Sequence, residues 1–299
     1  MEYHIPVLLS NVIEALKINP KDIYCDVTYG AGGHSKSIIE NLGKEGWLFG
    51  FDQDIDARAN CLANKNFTLI PVNYRYLQNY MDYYGVESVD GILADLGVSS
   101  YQLDQAKRGF SYRFDSDLDM RMDQSQSKSA IIILNEYSKD DLVRIFSGYG
   151  EVRNSKTLAE AIVTARKKSA IESSYRLNEI LNSVIVGNQN KYFAQVYQAL
   201  RIEVNDELES LKEMLQAGKE LLKPGGRFVV MSYHSLEDRL VKNFFKTGNF
   251  EGKVVKDDFG HIDKPFKIIN SKPIEADAEE QQRNPRSRSA KLRIAEKPN

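Results

Sequence analysis

Residues 29–35 read Tyr-Gly-Ala-Gly-Gly-His-Ser and follow the apolar run 23–27 after a single residue, Thr28. A short strand that ends in a glycine-rich turn and opens a helix brings backbone N–H groups close to a ligand. A second apolar run, 47–51, ends in Asp52, and a carboxylate at that place suits the diol of a ribose. Sites for NAD and for S-adenosylmethionine share this pattern. The third glycine of G-x-G-x-x-G is replaced by Ser35, so the turn alone does not choose between them.

The composition is that of an ordinary globular protein, with 299 residues, 42% of them hydrophobic and 27% charged. This length allows a sizeable core and suggests two domains. The sequence contains no apolar run long enough to span a bilayer and no signal peptide at its start, and its two cysteines form no zinc-site spacing. We therefore expect a cytoplasmic protein without a metal site. Because the net charge is −2, any nucleic-acid surface must be a local patch.

Strand-like and helix-like patterns alternate over the first hundred residues. Hydrophobic patterning predicts strands near 23–28, 46–51, 67–72 and 89–94, and helices near 8–16, 34–43, 54–64 and 75–84. After a long interruption, further strands are predicted at 227–231 and 291–295. This alternation predicts an α/β fold, in which helices cover both faces of a parallel sheet.

The interruption has a different character. A polar, loop-like stretch leads into helical segments that follow the potential capping residues Ser138, Ser155 and Ser174. We expect an inserted all-helical domain at 105–196, with the sheet domain formed by 1–104 and 197–299.

Two polar residues follow predicted strands of the sheet. Asp95 follows the run 89–94, and His234 comes shortly after the run 227–231. Ligands of open α/β sheets bind outside the carboxyl ends of the strands, so both residues are candidates for catalysis. The alternative is structural: a cap for Asp95 and a role at the strand end for His234. For the neighbouring Ser235, a helix N-cap is the favoured interpretation.

Eight segments of the chain, in order, resemble the motifs of one family. They are 4–8, 30–35, 95–104, 108–111, 118–123, 198–202, 234–239 and 284–293. Together they resemble the bacterial 16S rRNA (cytosine-N4)-methyltransferases, the RsmH or MraW family. The resemblance implies a Rossmann-like class I methyltransferase sheet, a helical insert that recognises substrate, and S-adenosyl-L-methionine as cofactor. It implies a cytidine in the decoding region of 16S rRNA, in the small ribosomal subunit, as substrate, and it leaves a homodimer open.

The resemblance also implies roles for single residues. The family's cofactor contacts fall at Gly32, Gly33, His34, Asp52, Tyr74, Asp95 and Gln102. Asp52 would accept the ribose hydroxyls, and Tyr74 would lie beside the adenine. Asp95 would hold the methionine ammonium, which we favour, or orient the target amine. His234 could stack on, or form a hydrogen bond with, a flipped-out base.

Other residues favour a methyltransferase over a dehydrogenase. The segment 223–226, Lys-Pro-Gly-Gly before a strand, is frequent in methyltransferases, and the sequence has no catalytic His or Lys–Tyr pair where hydride transfer needs one. Methylation at carbon 5 of cytosine needs a cysteine nucleophile, whereas we expect Cys25 and Cys61 to be small core residues. Methylation of an amine needs only an acceptor for its N–H. In place of the Asp/Asn-Pro-Pro-aromatic motif of many amino-methyltransferases, residues 95–98 read Asp-Leu-Gly-Val.

Basic residues near aromatic ones predict RNA contacts. Arg108 precedes Phe110 and Tyr112, and Arg286 and Arg288 belong to a basic run near the end of the sequence. Arginines beside aromatic rings can bind phosphates and stack on bases, although a solvated charged tail is the alternative. Two other functions stay open: an amino-methyltransferase acting on DNA or a small molecule, and a non-catalytic ribosome-assembly factor.

Overall fold

The computed structural model describes residues 6–99, 102, 103, 105–256 and 264–299. Two compact units divide the chain. The first comprises the residues up to Gly97 and those from Leu208 onward, and the second runs from Val98 to Glu207. The second unit therefore begins before, and ends after, the range 105–196 expected from the sequence.

The first unit contains a seven-stranded sheet. Its strands are β1 (Ile23–Asp26), β2 (Trp47–Phe51), β3 (Phe67–Ile70), β4 (Val89–Asp95), β5 (Leu222–Ser232), β6 (Lys267–Ile268) and β7 (Lys291–Glu296). Their order is β3-β2-β1-β4-β5-β7-β6, and only the pairings of β7 are antiparallel. The order confirms the Rossmann-like α/β class. Strands β1 to β3 are added toward one edge of the sheet and β4 and β5 toward the other, so the topological switch point lies between β1 and β4. Ligands are expected at the carboxyl ends of these two strands.

Eleven α-helices have both ends within the described residues, besides short 3-10 helices. They are α1 (Leu9–Leu16), α2 (Gly33–Asn41), α3 (Leu77–Tyr83), α4 (Ala130–Glu136), α5 (Lys139–Gly148), α6 (Ser155–Arg166), α7 (Ser174–Val184), α8 (Gln189–Asn205), α9 (Glu207–Leu221), α10 (Ser235–Thr247) and α11 (Ala278–Arg283). None of these described helices has the length and apolar character needed to cross a membrane.

The prediction of a helix at 54–64 is wrong. A short 3-10 helix, Ile55–Asn60, takes its place, and Cys61 after it is exposed instead of belonging to the core. Asp54 caps this helix by accepting from the backbone N–H of Asp56, and local bonds of this kind compete with a longer helix.

The sheet is buried on both faces, as its alternating core residues show. In β1, Tyr24 packs into one apolar cluster and Cys25 into the other, and Leu93 and Ile92 of β4 divide in the same way. Successive side chains of a strand point to opposite faces, so the two clusters are the two covered sides of the sheet.

The second unit is helical around its own apolar core. Helices α4 to α8 contribute most of that core, with Phe146 and Leu158 among its fully buried members. Ser138 caps α5 as expected, because its hydroxyl accepts from the N–H of Asp141. The other two expected caps are displaced by one residue, to Asn154 and Ser173.

Candidate functional site

The turn between β1 and α2 requires its glycines. Gly30 and Gly32 have φ angles of 55° and 76°, a region that side chains with a Cβ rarely adopt. A Cβ on Gly32 would lie 2.6 Å from the hydroxyl of Tyr29, and one on Gly33 would overlap the ring of Pro6. The inner side of the turn is thus filled by the chain itself. The outer rim at Gly30 and Ala31 is open among the described residues, since a Cβ on Gly30 would meet only one of their atoms, 3.9 Å away.

Asp52 follows β2 and holds this turn. Its Oδ2 accepts from the backbone N–H of Gly30 at 2.7 Å, and its Oδ1 accepts from that of Asp54 at 2.8 Å. Burial raises the pKa of Asp52 to about 6. The side chain is still partly exposed, and each carboxylate oxygen has a further lone pair, so Asp52 can accept hydrogen bonds from a ligand.

Asp95, the last residue of β4, is anchored by the segments that follow β1 and β5. Its backbone N–H donates to Oγ1 of Thr28 at 2.6 Å, and its Oδ1 accepts from the Tyr233 hydroxyl at 2.8 Å. Its Oδ2 lies 3.7 Å from Nδ1 of His34, and the side chain is 24% exposed. Burial raises the pKa of Asp95 to about 6, although the nearby His34 and the Tyr233 hydrogen bond act to lower it.

His34 lies in the first turn of α2, inside the fold. Its Nε2 is 3.0 Å from the carbonyl oxygen of Val7, so the Nε2–H donates and Nδ1 is the nitrogen turned toward Asp95. The contacts therefore bring together the glycine turn, His34, Asp52 and Asp95. The direct neighbour of this group on β1 was missed by sequence reasoning.

That neighbour is Asp26, a fully buried carboxylate at the end of β1. It accepts from the hydroxyl of Ser35 at 2.7 Å and from the backbone N–H of Thr28 at 3.2 Å. Burial raises its pKa. A single acid at the end of the apolar run 23–27 was the signal for it in the sequence.

His234 is the N-cap of α10, a role expected for Ser235, which is instead the first helical residue. The His234 Nδ1 accepts from the N–H of Glu237 at 3.5 Å, and its Nε2 lies 3.0 Å from Oε1 of Glu237. Both ring nitrogens thus face the first turn of the same helix. This geometry favours the structural role of His234 over contact with a base.

Tyr74 and Gln102 lie on separate segments. Tyr74 opens a short 3-10 helix after β3 and is partly buried. The side chain of the preceding Asn73 donates to Oε1 of Gln53 at 2.9 Å, which joins the loops after β2 and β3. Gln102 belongs to the second unit, where its side chain accepts from the N–H of Ser99 at 3.0 Å.

The three arginines expected to contact RNA differ in exposure. Arg108 is buried, and its Nη2 donates to the carbonyl oxygen of Arg121 at 2.9 Å. Burial of this guanidinium argues against a phosphate contact. Arg286 is partly exposed and Arg288 is exposed, both on the short 3-10 helix Pro285–Ser289. Arg293, in the same basic run, is buried in a bidentate pair with Asp238.

Comparison with known proteins gives matches over nearly the full length. The model of the MraW methylase family matches residues 1–298. A ribosomal RNA small subunit methyltransferase H from Parabacteroides distasonis is 53% identical over 297 residues, covering 99% of this chain and 97% of the relative. The protein of the same name from Cytophaga hutchinsonii is also 53% identical and covers 99% of each chain. A solved rRNA methylase from Streptococcus thermophilus is 12% identical with a TM-score of 0.41, covering 97% and 94% of the two chains, which is too distant to support an argument.

Proposed function

Because this chain belongs to the MraW methylase family, we propose that it transfers a methyl group from S-adenosyl-L-methionine to N4 of a cytidine in the decoding region of 16S rRNA. The observation that carries this proposal is the 53% identity, over 99% of the chain, to enzymes named as small-subunit ribosomal RNA methyltransferases. We place the reaction in the cytoplasm, with RNA of the small ribosomal subunit as substrate.

The carboxyl edge of the sheet fits this cofactor. The outer rim of the turn at Gly30 and Ala31 is open, and two partly exposed carboxylates, Asp52 and Asp95, flank it. When bound, S-adenosyl-L-methionine supplies an electrophilic methyl group on its sulfonium. In this proposal Asp52 accepts the ribose hydroxyls, Asp95 holds the ammonium of the methionine moiety, and Tyr74 lies beside the adenine.

Gly32, Gly33 and His34 act indirectly in the same scheme. The two glycines allow the close packing of the turn against Tyr29 and Pro6. His34 is held by the carbonyl of Val7 and faces Asp95. These residues therefore set the shape of the turn and the surroundings of Asp95. We also propose Gln102 as a cofactor contact, because it matches one of the family's cofactor positions.

The buried state of Cys25 supports methylation of an amine and not of carbon 5. Carbon-5 methylation requires a thiolate that attacks the base. Cys25 is fully buried in β1, and burial raises the pKa of its thiol far above the usual value. The exposed Cys61 provides a test: we expect Cys61→Ser to retain methyl transfer, whereas a complete loss would indicate carbon-5 chemistry.

The second unit and the segment around Arg286 and Arg288 are proposed to bind the RNA. Exposed guanidinium groups bind phosphates and release counterions, which gives a salt-dependent affinity. Arg108 contributes to the second unit from inside, by its hydrogen bonds to the backbone of Arg121 and Met122.

The decisive experiment is mass spectrometry of 16S rRNA from cells that lack this protein, together with single-turnover assays of the purified enzyme. We expect one decoding-region cytidine to lose its N4-methyl group in the cells. In vitro, small ribosomal subunits or 16S rRNA should accept the methyl group and duplex DNA should not. Methylation of DNA alone would contradict the proposal that the substrate is RNA. Binding of RNA without any methyl transfer would indicate an assembly factor.

A further inference from the structure

We propose that Tyr233 is a positioning residue for Asp95: its phenol fixes the orientation of the carboxylate and keeps it in the ionised form that binds a cationic or N–H-bearing ligand. This inference rests on the proposed function, since it gives Asp95 its ligand. The observation behind it is the hydrogen bond from the Tyr233 hydroxyl to Oδ1 of Asp95, at 2.8 Å.

The backbone of Tyr233 is held by the first turn of α10. The backbone N–H of Tyr233 donates to Oε2 of Glu237 at 2.9 Å, and Glu237 itself is buried. The same carboxylate lies beside His234, the N-cap of this helix. Tyr233 also adjoins Gly97, where a Cβ would lie 3.5 Å from the ring. The ring of Tyr233 is partly buried against one of the two apolar clusters that cover the sheet, and from there its hydroxyl reaches Asp95.

The Tyr233–Asp95 hydrogen bond gives the two carboxylate oxygens of Asp95 different roles. Oδ1 is used by Tyr233, whereas Oδ2 faces His34 at 3.7 Å, beyond hydrogen-bond distance. A carboxylate fixed through one oxygen presents the other in a defined direction, which reduces the entropy cost of binding. Oδ2 is thus the oxygen that we assign to the ligand.

The phenol is suited to this task because it stays protonated. Burial and the adjacent Asp95 carboxylate raise the pKa of Tyr233 well above its usual value, so it donates throughout the physiological range. Among the residues that the structure describes, the other charged or titratable groups that face Asp95 are Asp26 on β1, His34 on α2 and Glu237 on α10. The negative charges of Asp26 and Glu237 favour the protonated form of the Asp95 side chain. The phenol, together with His34, opposes them.

The test compares Tyr233→Phe with the parent enzyme over pH 5.5 to 8.5, by calorimetry for S-adenosyl-L-methionine and by the rate on small ribosomal subunits. Loss of the phenol should move the acid-side midpoint of both profiles upward by about one pH unit. Activity relative to the parent should then fall about threefold at pH 6.5 and by less than about a tenth at pH 8. An unchanged midpoint would overturn the inference.

Tyr24→Phe is the matched control, since Tyr24 is a buried tyrosine of the same unit whose hydroxyl accepts from the N–H of Asn19. It should leave the midpoint unchanged even if it lowers the Tm. If Tyr233 had a purely structural role, Tyr233→Phe would lower the activity by the same factor at every pH. This result too would overturn the inference.

A double-mutant cycle separates this inference from the proposed function. In an Asp95→Asn background, Tyr233→Phe should cause no further shift of the midpoint, because the titrating partner is gone. If the parent enzyme transfers no methyl group to RNA, the proposed function fails, while the cofactor-binding profile still reports on the Tyr233–Asp95 pair.

Discussion

The carboxyl edge of the sheet and the basic run near residue 290 use charge in different ways. At the edge, Asp52 and Asp95 are each held by two or more hydrogen bonds from the protein. In the basic run, Arg288 is exposed on a short helix, while Arg293 is locked to Asp238. The edge is thus preorganised, which suits the small ligand that we propose for it. In the basic run, one arginine is fixed on its strand by an ion pair, whereas the exposed arginine carries a charge suited to a large polyanion.

The largest effect is expected from Asp95→Asn, which keeps the shape and the acceptor for Tyr233 but removes the charge. If Asp95 holds the methionine ammonium, the affinity for S-adenosyl-L-methionine should fall about 10- to 100-fold, with the rate at saturating cofactor nearly kept. Calorimetry and single-turnover rates measure the two quantities separately. Asp90→Asn, at the opposite part of the same strand, is the control and should leave the affinity unchanged.

A different outcome would reassign Asp95. Unchanged affinity with a rate about 10²-fold lower would show that it orients the target amine. Full affinity with full turnover would remove Asp95 from both roles and leave His234 as the remaining candidate for the catalytic group.

The next effect in size is that of Asp52→Ala. Loss of a charged acceptor for ribose hydroxyls should weaken cofactor binding by about 1–3 kcal/mol. Because Asp52 also holds Gly30, the Tm should fall as well, and Asp52→Asn, which retains one acceptor oxygen, should recover part of both losses. Titration with NAD should show no binding to either variant or to the parent. Unchanged affinity for S-adenosyl-L-methionine would exclude Asp52 from the site.

A smaller effect is expected when Arg286 and Arg288 are both changed to Ala. RNA binding should weaken, and the slope of log affinity against log salt should become shallower by up to about two, while cofactor affinity stays the same. The control is the double change of Lys21 and Lys65 to Ala, two exposed lysines that precede β1 and β3. If the salt slope of the arginine variant equals that of the parent, these arginines are only a solvated surface.

The smallest effect concerns pH. Burial raises the pKa of both Asp52 and Asp95 to about 6, above the usual 3.8. On acidification from pH 7 to 5 the folded state therefore takes up protons before the unfolded chain does, which stabilises the fold, while cofactor affinity falls with the loss of charge. Thermal unfolding without cofactor, compared with calorimetry, should show these opposite trends. Asp95→Asn should reduce both. A fall of stability and affinity together would contradict this account.

Much of the sheet domain could be predicted from sequence because its signals are local. Apolar runs of four to seven residues mark the strands, and Asp52 and Asp95 stand directly at two strand ends. The family resemblance was confirmed by the full-length match. The positions of the assigned cofactor contacts remain predictions to be tested by the variants above.

The errors arose where tertiary contacts decide. Arg108 has the residue type of a surface charge, yet it is buried and donates to the backbone carbonyl groups of Arg121 and Met122. His234 displaced Ser235 as the cap because its imidazole reaches the N–H of Glu237. The link between Tyr233 and Asp95 leaves no local signal, since neither residue type nor spacing indicates a partner on another strand.

The insertion of the second unit between β4 and β5 has a consequence for biosynthesis. The Tyr233–Asp95 bond joins residues 138 positions apart, and β7, which pairs with β5, is made later still. A nascent chain that has emerged only as far as α8 already contains the turn, Asp52 and Asp95, but lacks the strand that orders the last of these. High contact order makes such assembly slow. The fixed orientation of the Asp95 carboxylate is therefore a late product of folding, acquired only after the helical unit has left the ribosome.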